Sequence, residues 1–376
     1  MLDPAVVHLN HGSFGGCPVA VMDAAVAIRA RVEASPMRFF VLEWQRELDL
    51  ARAALARFVG ANAASLVFVP NATVGIAVAL HTATARVGAG DEILTTDHAY
   101  RACKNQLARL AVERGARVVV VPIALPFDPD ACVDAIARAI TPRTKLALFD
   151  HITSPTALVM PIERIVPLCA ARGIAVAIDG AHAPGQLALD VGALIALGVT
   201  WYAGNNHKWL CAPKSSGFVV TTTPLVPIVT SHGASPEYGP DNRLHAELDW
   251  SGTADPSAHL AVPTAIDLVG HAEVRARNHA LAVAMRQLLL DAGASALAPE
   301  SSLGAMATVP IELPPNTSPL ALQDQLLRGG WEVPIMPWPA PIGPLLRVSA
   351  HLYNSLDQVE RLLGTLRELG ATPARR

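Results

Sequence analysis

The chain has 376 residues, of which 51% are hydrophobic and 16% charged, a balance that buries a large core and excludes a disordered protein. A formal net charge of −3 leaves no basic footprint for nucleic acid or an anionic membrane surface, so neither is expected as a partner. The opening MLDPAVVHLNHG has no basic leader and no long apolar run, so neither signal peptide nor membrane span is expected and a cytoplasmic location is the expectation.

From about residue 60 to 220 short apolar runs alternate with helical patterns. SLVFVP (65–70), DEILTT (91–96), ARVVVVPI (116–123), TKLALFDH (144–151) and IAVAIDGAH (174–182) read as strands covered on both faces. Between them TVGIAVALHTATA (73–85), YRACKNQLARLAVERG (100–115) and DPDACVDAIARAI (128–140) read as helices. That alternation predicts an α/β domain with a mostly parallel sheet. Ligands of such sheets collect at the carboxyl ends of strands. Polar residues fall there: Asn71 to Thr73, Asp97-His98, His151 to Ser154, Asp179 with His182, and His207-Lys208.

Residues 223–260 are rich in Pro, Gly, His and Asp and read as a crossover with functional loops. A long helical pattern then leads to ATVPIEL (307–313), LRVSA (346–350) and a last helix to about 370. The expected division is an N-terminal segment, 1–30, serving the active site and the small domain; a large cofactor-binding domain, 31–261; and a small α+β domain, 262–376.

Cys17, Cys103, Cys132, Cys169 and Cys211 are scattered, without a CxxC pair, so neither a disulfide framework nor a metal site is expected. Basic residues are nearly all arginine, the only lysines being Lys104, Lys145, Lys208 and Lys214. Arginine replaces lysine as a solvated charge, but its guanidinium cannot form a Schiff base. Chemistry is therefore most plausible where lysine persists.

Asp179 closes an apolar strand, where a carboxylate stays ionised only opposite a cation. The ring nitrogen of pyridoxal phosphate is such a cation, and a lysine would hold the cofactor's aldehyde; Lys208 is the candidate. Taken singly, Asp179 is a helix cap, Lys208 a surface charge, His98 a turn residue and Arg347 structural; their combination makes them a site.

The ordered set NAT (71–73), DH (97–98), DGAH (179–182), NNHK (205–208), GT (252–253) and LRVSAHLYN (346–354) resembles the fold-type I pyridoxal-phosphate enzymes of aminotransferase class V. LNHGSFG (9–15) and RVEASPMRFF (31–40) resemble the isopenicillin N epimerase-like branch, which includes ergothioneine-pathway C–S lyases. The resemblance implies a seven-stranded, mostly parallel sheet and a homodimer with shared active sites. It implies that Lys208 binds the cofactor covalently, Asp179 pairs with the ring nitrogen, His182 bonds the ring hydroxyl and His98 stacks on the ring. Ala72 and Thr73 would hold the phosphate, Asn205 stands where a serine often does so, His207 keeps its place, and Thr253 would reach a neighbouring subunit's phosphate. Arg347 would clamp the substrate carboxylate, with Ser154 and Asn10 nearby.

His11, Phe14 and Tyr100, with Arg38, Phe39, Phe40, Trp44 and Trp250, are candidates for an aromatic pocket over a large substrate, although Phe39 and Phe40 also suit a core. The implied activity is β-elimination from an S-substituted cysteine sulfoxide, hercynylcysteine sulfoxide, giving ergothioneine, pyruvate and ammonia. Epimerisation of a peptide-like amino acid and transamination are the alternatives. Cysteine desulfuration is disfavoured because no cysteine follows Cys211 to act as nucleophile on a mobile segment. A non-enzymatic interaction protein is disfavoured because no helix-turn-helix region precedes the domain.

Overall fold

The computed structural model describes residues 2–231 and 243–376, so part of the loop-rich 223–260 region lies outside the described residues. Strand β1 (Val7–His8) leads to helices α1 (His11–Phe14), α2 (Val19–Ala34), α3 (Pro36–Arg38) and α4 (Trp44–Val59). The stretch His11–Ala34 has the composition of a membrane span. Its helix, however, is broken at residues 15–18, and the continuous 16 residues of α2 fall short of the ~20 a bilayer core requires.

The central elements are β2 (Leu66–Val69), α5 (Ala72–Ala83), β3 (Glu92–Thr96), α6 (Arg101–Arg114), β4 (Arg117–Val121), β5 (Thr144–Asp150), β6 (Ala175–Gly180), β7 (Trp201–Asn205) and β8 (Gly217–Thr221). They form a seven-stranded sheet in the order β2-β8-β7-β6-β5-β3-β4. Strands β3 to β7 run parallel to their neighbours among themselves, and β8 is antiparallel to both β7 and β2. The short 206–216 connection turns the chain straight back, which only an antiparallel partner permits. Every residue of β2, β3, β6, β7 and β8 is buried, as their unbroken apolar runs require of a sheet covered on both faces.

A second sheet comprises β9 (Met306–Glu312), β11 (Ile335–Met336), β12 (Leu345–Ser349) and β13 (Thr372–Pro373), in the order β11-β12-β9-β13, all antiparallel. Its β12 carries Arg347. The N-terminal strand β1 pairs in parallel with β10 (Trp331–Glu332) beside this sheet, which brings residues 9–15 between the two sheets.

Of the expected aromatic set, Phe39, Phe40, Trp44 and Trp250 stand away from the site. Phe40, Trp44 and Trp250 pack on one another with ring centroids 5.5–6.2 Å apart, and Phe39 is buried. Arg38 pairs with Glu43 at 3.0 Å. These residues fill helix contacts, as paired aromatics commonly do, and none of them lines the cavity described next.

Candidate active site

A cavity of about 520 Å³ opens at the carboxyl ends of β5, β6 and β7, facing the start of α5. Lys208 projects into it from the loop after β7. That loop is tightly held: Asn206 and His207 bond Ser216 at 3.0 and 2.9 Å, and Cys211 N–H closes a turn on the Lys208 carbonyl at 3.0 Å. From the far side, the His11 ring bonds the same carbonyl at 3.0 Å. Gly15 lies so close that a Cβ there would sit 2.1 Å from the His207 carbonyl oxygen, and its φ of +70° independently favours glycine.

Lys208 Nζ is 3.2 Å from His182 Nε2. The Trp209 indole N–H donates to His182 Nδ1 at 3.4 Å, which assigns the imidazole proton to Nε2 and makes the lysine amine its acceptor. Burial pushes the Lys208 amine down to about 8. His182 is held well below the ordinary imidazole value by burial and then by Lys208. The ring is thus neutral at pH 7, and the amine gives up its proton far more readily than an ordinary lysine does.

Asp179, at the end of β6, accepts from the Ala181 N–H at 3.0 Å through Oδ1 and from the Cys103 thiol at 3.2 Å through Oδ2. Both oxygens are thus occupied by donors, as suits an anion. At the cavity's other end α5 begins with Asn71 capping the Val74 N–H at 3.0 Å, while Asn205 Oδ1 takes the Ala72 N–H at 2.8 Å. Ala72 and Thr73 line the cavity at this helix start, where the helix dipole favours an anion.

Arg347 stands behind Ser13 and Ser154, only 1% exposed. Its Nη1 donates to the Ser154 carbonyl at 2.5 Å, its Nη2 to Asn10 Oδ1 at 3.0 Å and Ser13 Oγ at 3.2 Å, and its Nε has no partner among the described residues. These partners are neutral, and burial pulls the guanidinium down to about 10. A buried cation without a counter-ion is the natural receptor of a carboxylate.

Of the residues expected from the sequence, Phe14, Ala72, Thr73, Tyr100 and Ser154 line the cavity together with Asp179, His182, Asn205, His207 and Lys208. Asn10 reaches it through Arg347. Thr253 lies exposed on the surface outside it. Two assignments change. His98 is fully buried beside the cavity, with Nδ1 on Thr156 at 2.7 Å and Nε2 on the Ile123 carbonyl at 3.0 Å; Tyr100, two residues on, presents the ring that lines the space. His11 supports Lys208 from behind, its Nδ1 on the Tyr353 hydroxyl at 2.7 Å, instead of facing substrate.

His11, Cys211 and His351 bring ligand atoms within 4.8 Å of one another. The two imidazoles are stacked, with centroids 4.0 Å apart and planes 17° from parallel, so their in-plane lone pairs do not converge on one ion. Hydrogen bonding to Lys208 and Trp209 accounts for this cluster. Sequence reasoning also missed Ser13, Lys214 and Asp150, all of which line the cavity; Asp150 sits at the tip of β5 as the register partner of Asp179.

The class-V aminotransferase family model matches residues 17–362. The chain belongs to the class-V aminotransferase family. It is 38% identical to an isopenicillin N epimerase of Amycolatopsis lactamdurans, covering 98% of this chain and 96% of that one. A putative L-cysteine desulfhydrase of Oryza sativa is 35% identical over 82% of this chain and 67% of its own. A hercynylcysteine sulfoxide lyase of Schizosaccharomyces pombe is 27% identical over 57% and 54%. Two solved structures of C-DES superpose with a TM-score of 0.81 at 19% identity, covering 96% of this chain and 96–97% of theirs. One is described as the cystine C-S lyase with its product cysteine persulfide, and the other is a mutant with glycine covalently linked to the PLP cofactor.

This class-V enzyme uses pyridoxal phosphate, and its residues fit that group. Lys208 supplies a half-buried primary amine at the cavity wall, Asp179 a carboxylate for the ring nitrogen, and the start of α5 a seat for the phosphate.

Proposed function

We propose that this enzyme is a C–S lyase: Lys208 removes the α-proton of an amino acid held at Arg347, and a sulfur substituent leaves the β-carbon. When bound, pyridoxal phosphate supplies the electron sink that makes such a proton removable. The observation that carries the reading is the contact of Lys208 with His182, one acid–base pair on one flank of the cavity. β-Elimination needs no more than that flank, since the amine that takes the α-proton can return it to the departing sulfur. The remaining three-carbon fragment then hydrolyses to pyruvate and ammonia. Arg347, with Asn10, Ser13 and Ser154 around its guanidinium, orients the carboxylate.

Among the described residues no cysteine lines the cavity, which argues against a persulfide-forming desulfurase. Within the lyase class, hercynylcysteine sulfoxide is the substrate to try beside cysteine itself. Its sulfur would leave as a sulfenic acid that a thiol reductant converts to ergothioneine. Support for it is the 27% identical relative, and support for a desulfhydrase is the 35% identical one.

Epimerisation is the second reading. It draws on the 38% identical epimerase and on Tyr100, whose phenol lines the same cavity as a candidate proton donor for a second face. The deciding assay incubates purified enzyme in D₂O with L-cysteine, S-alkylcysteines and the sulfoxide plus reductant. Pyruvate in step with ammonia supports the lyase; deuterium at Cα with no ammonia released would replace it by the epimerase.

A homodimer belongs to the same proposal. Exposed apolar side chains at Phe14, Met37 and Leu42, each 74–78% accessible, and the exposed Thr253 support it. Light scattering of the purified protein tests it, and a monomer would overturn it.

A further inference from the structure

Strands β12 and β9 of the small sheet set Arg347 and Thr308 directly opposite each other, so the two side chains leave the same face. That face carries the substrate clamp. Ser349, the next residue on it along β12, takes the Gly12 N–H at 3.2 Å, and a Cβ on Gly12 would sit 2.6 Å from the sulfur of Met306, the next along β9. The face therefore presses on the segment that supplies Asn10 and Ser13 to the guanidinium.

Thr308 and Arg347 share a second property. Both are nearly inaccessible, at 5% and 1%, and each keeps one buried polar atom, Thr308 Oγ1 and Arg347 Nε, without a hydrogen-bond partner among the described residues. Among those residues no other side-chain atom of β9 or β12 is in that position. A buried polar atom left unpaired is costly, and these two are complementary, one an N–H donor and the other a hydroxyl able to accept. Ser154, Asn10 and Ser13 hold the terminal nitrogens of the guanidinium, which are also the ones a carboxylate must reach. Once it does, those neighbours share their donors with it, and Nε is the N–H left to fix the plane of the fork.

We propose that Thr308 is a positioning residue of the carboxylate site: its hydroxyl accepts the Arg347 Nε–H when substrate occupies the guanidinium, and so holds the fork in the plane that meets both carboxylate oxygens. As they stand the two atoms are unbonded, and rotation about the staggered side-chain torsions is the adjustment the bond requires, with no movement of the backbone. Thr308 touches the clamp and not the reacting atoms, so it acts on affinity and leaves proton transfer at Lys208 unchanged. The inference rests on Arg347 as the receptor of the carboxylate and holds for elimination and epimerisation alike.

The test measures propionate binding to the holoenzyme by calorimetry, without turnover, beside KM and kcat on one good substrate. Thr308→Val keeps the shape and removes the hydroxyl, so propionate should bind about 5- to 20-fold more weakly, KM should rise to match and kcat should stay within about twofold of wild type. Thr308→Ser keeps the hydroxyl and should bind propionate within about twofold of wild type. Arg347→Lys has no Nε–H, so adding Thr308→Val to it should change nothing further. Thr308→Ala removes the hydroxyl without a new methyl against the clamp and repeats the measurement if the valine protein does not fold. Wild-type affinity in the valine and alanine variants would overturn the proposal. Equal weakening in Thr308→Ser, or weakening by Thr308→Val that persists in Arg347→Lys, would overturn it too, since the effect would then be one of packing. Undiminished propionate binding by Arg347→Ala would remove the carboxylate site itself, and the role of Thr308 with it.

Discussion

Lys208 Nζ and His182 Nε2 meet at 3.2 Å at the cavity wall, where burial disfavours a charge on either group. Burial first brings the Lys208 amine down to about 8, so roughly a tenth of it is free at pH 7, far more than for an ordinary lysine. The rate at which apoenzyme captures pyridoxal phosphate, which needs that free amine, should therefore rise with pH and level off above about 8. An ordinary lysine would keep accelerating to ~10.4. Stopped-flow absorbance from pH 6 to 10 distinguishes the two.

Lys208→Ala should lower turnover by at least about 10³-fold, combining the loss of covalent attachment with that of the general base. Lys208→Arg should be equally inactive although it keeps the charge, because a guanidinium offers no nucleophilic amine. Borohydride reduction of wild type followed by peptide mapping should find the cofactor on Lys208, and label on Lys214 instead would reassign the site.

Asp179→Asn replaces an anion that accepts two hydrogen bonds by a neutral amide. A charge-assisted bond of about 1.5–3 kcal/mol corresponds to a 10- to 100-fold loss of cofactor affinity. Equilibrium dialysis of the variant measures it, and unchanged affinity would remove Asp179 from the ring nitrogen.

Arg347→Ala should raise KM for amino-acid substrates by about 10²-fold or more, since the carboxylate loses the buried cation behind Ser13 and Ser154. Arg347→Lys should recover part of this but not the forked geometry. Small carboxylates should inhibit wild type competitively and lose that effect in both variants. Steady-state kinetics on one good substrate suffice.

The strand ends were legible because an apolar run that stops at a polar residue marks where a parallel sheet meets its ligand, and Asp179, Asn205 and Lys208 all stand at or just beyond such stops. Asp150 obeys the same rule in LALFDH, but the His and Ser that follow it carry the stronger motif signal. His98 and Tyr100 show a different limit. They lie two residues apart on the turn into α6, and only the direction of that turn decides which ring enters the cavity and which is bonded to Thr156 and Ile123. His11 was placed near the right chemistry on the wrong side, because its contact is with the backbone of Lys208, to which a side-chain motif is blind.

Away from the site, Arg52 and Asp249 form a buried pair at 2.5 Å, 2% and 3% accessible. Asp249→Ala leaves the guanidinium only the exposed Asp49, at 3.4 Å, and should cost about 3 kcal/mol of stability. The double replacement Arg52→Met with Asp249→Leu should cost markedly less, because it removes both charges together. Urea unfolding of the three proteins gives the comparison.

The contacts of His11 and Gly15 also bear on how the enzyme comes into being. These residues precede the central sheet in the chain, yet they rest on the backbone of residues 207 and 208 and on Tyr353. Such distant partners delay closure until nearly the whole chain is available. Capture of the cofactor is then a late event of biogenesis, and nascent chains stalled before the small domain should stay colourless however much of the central sheet they have formed.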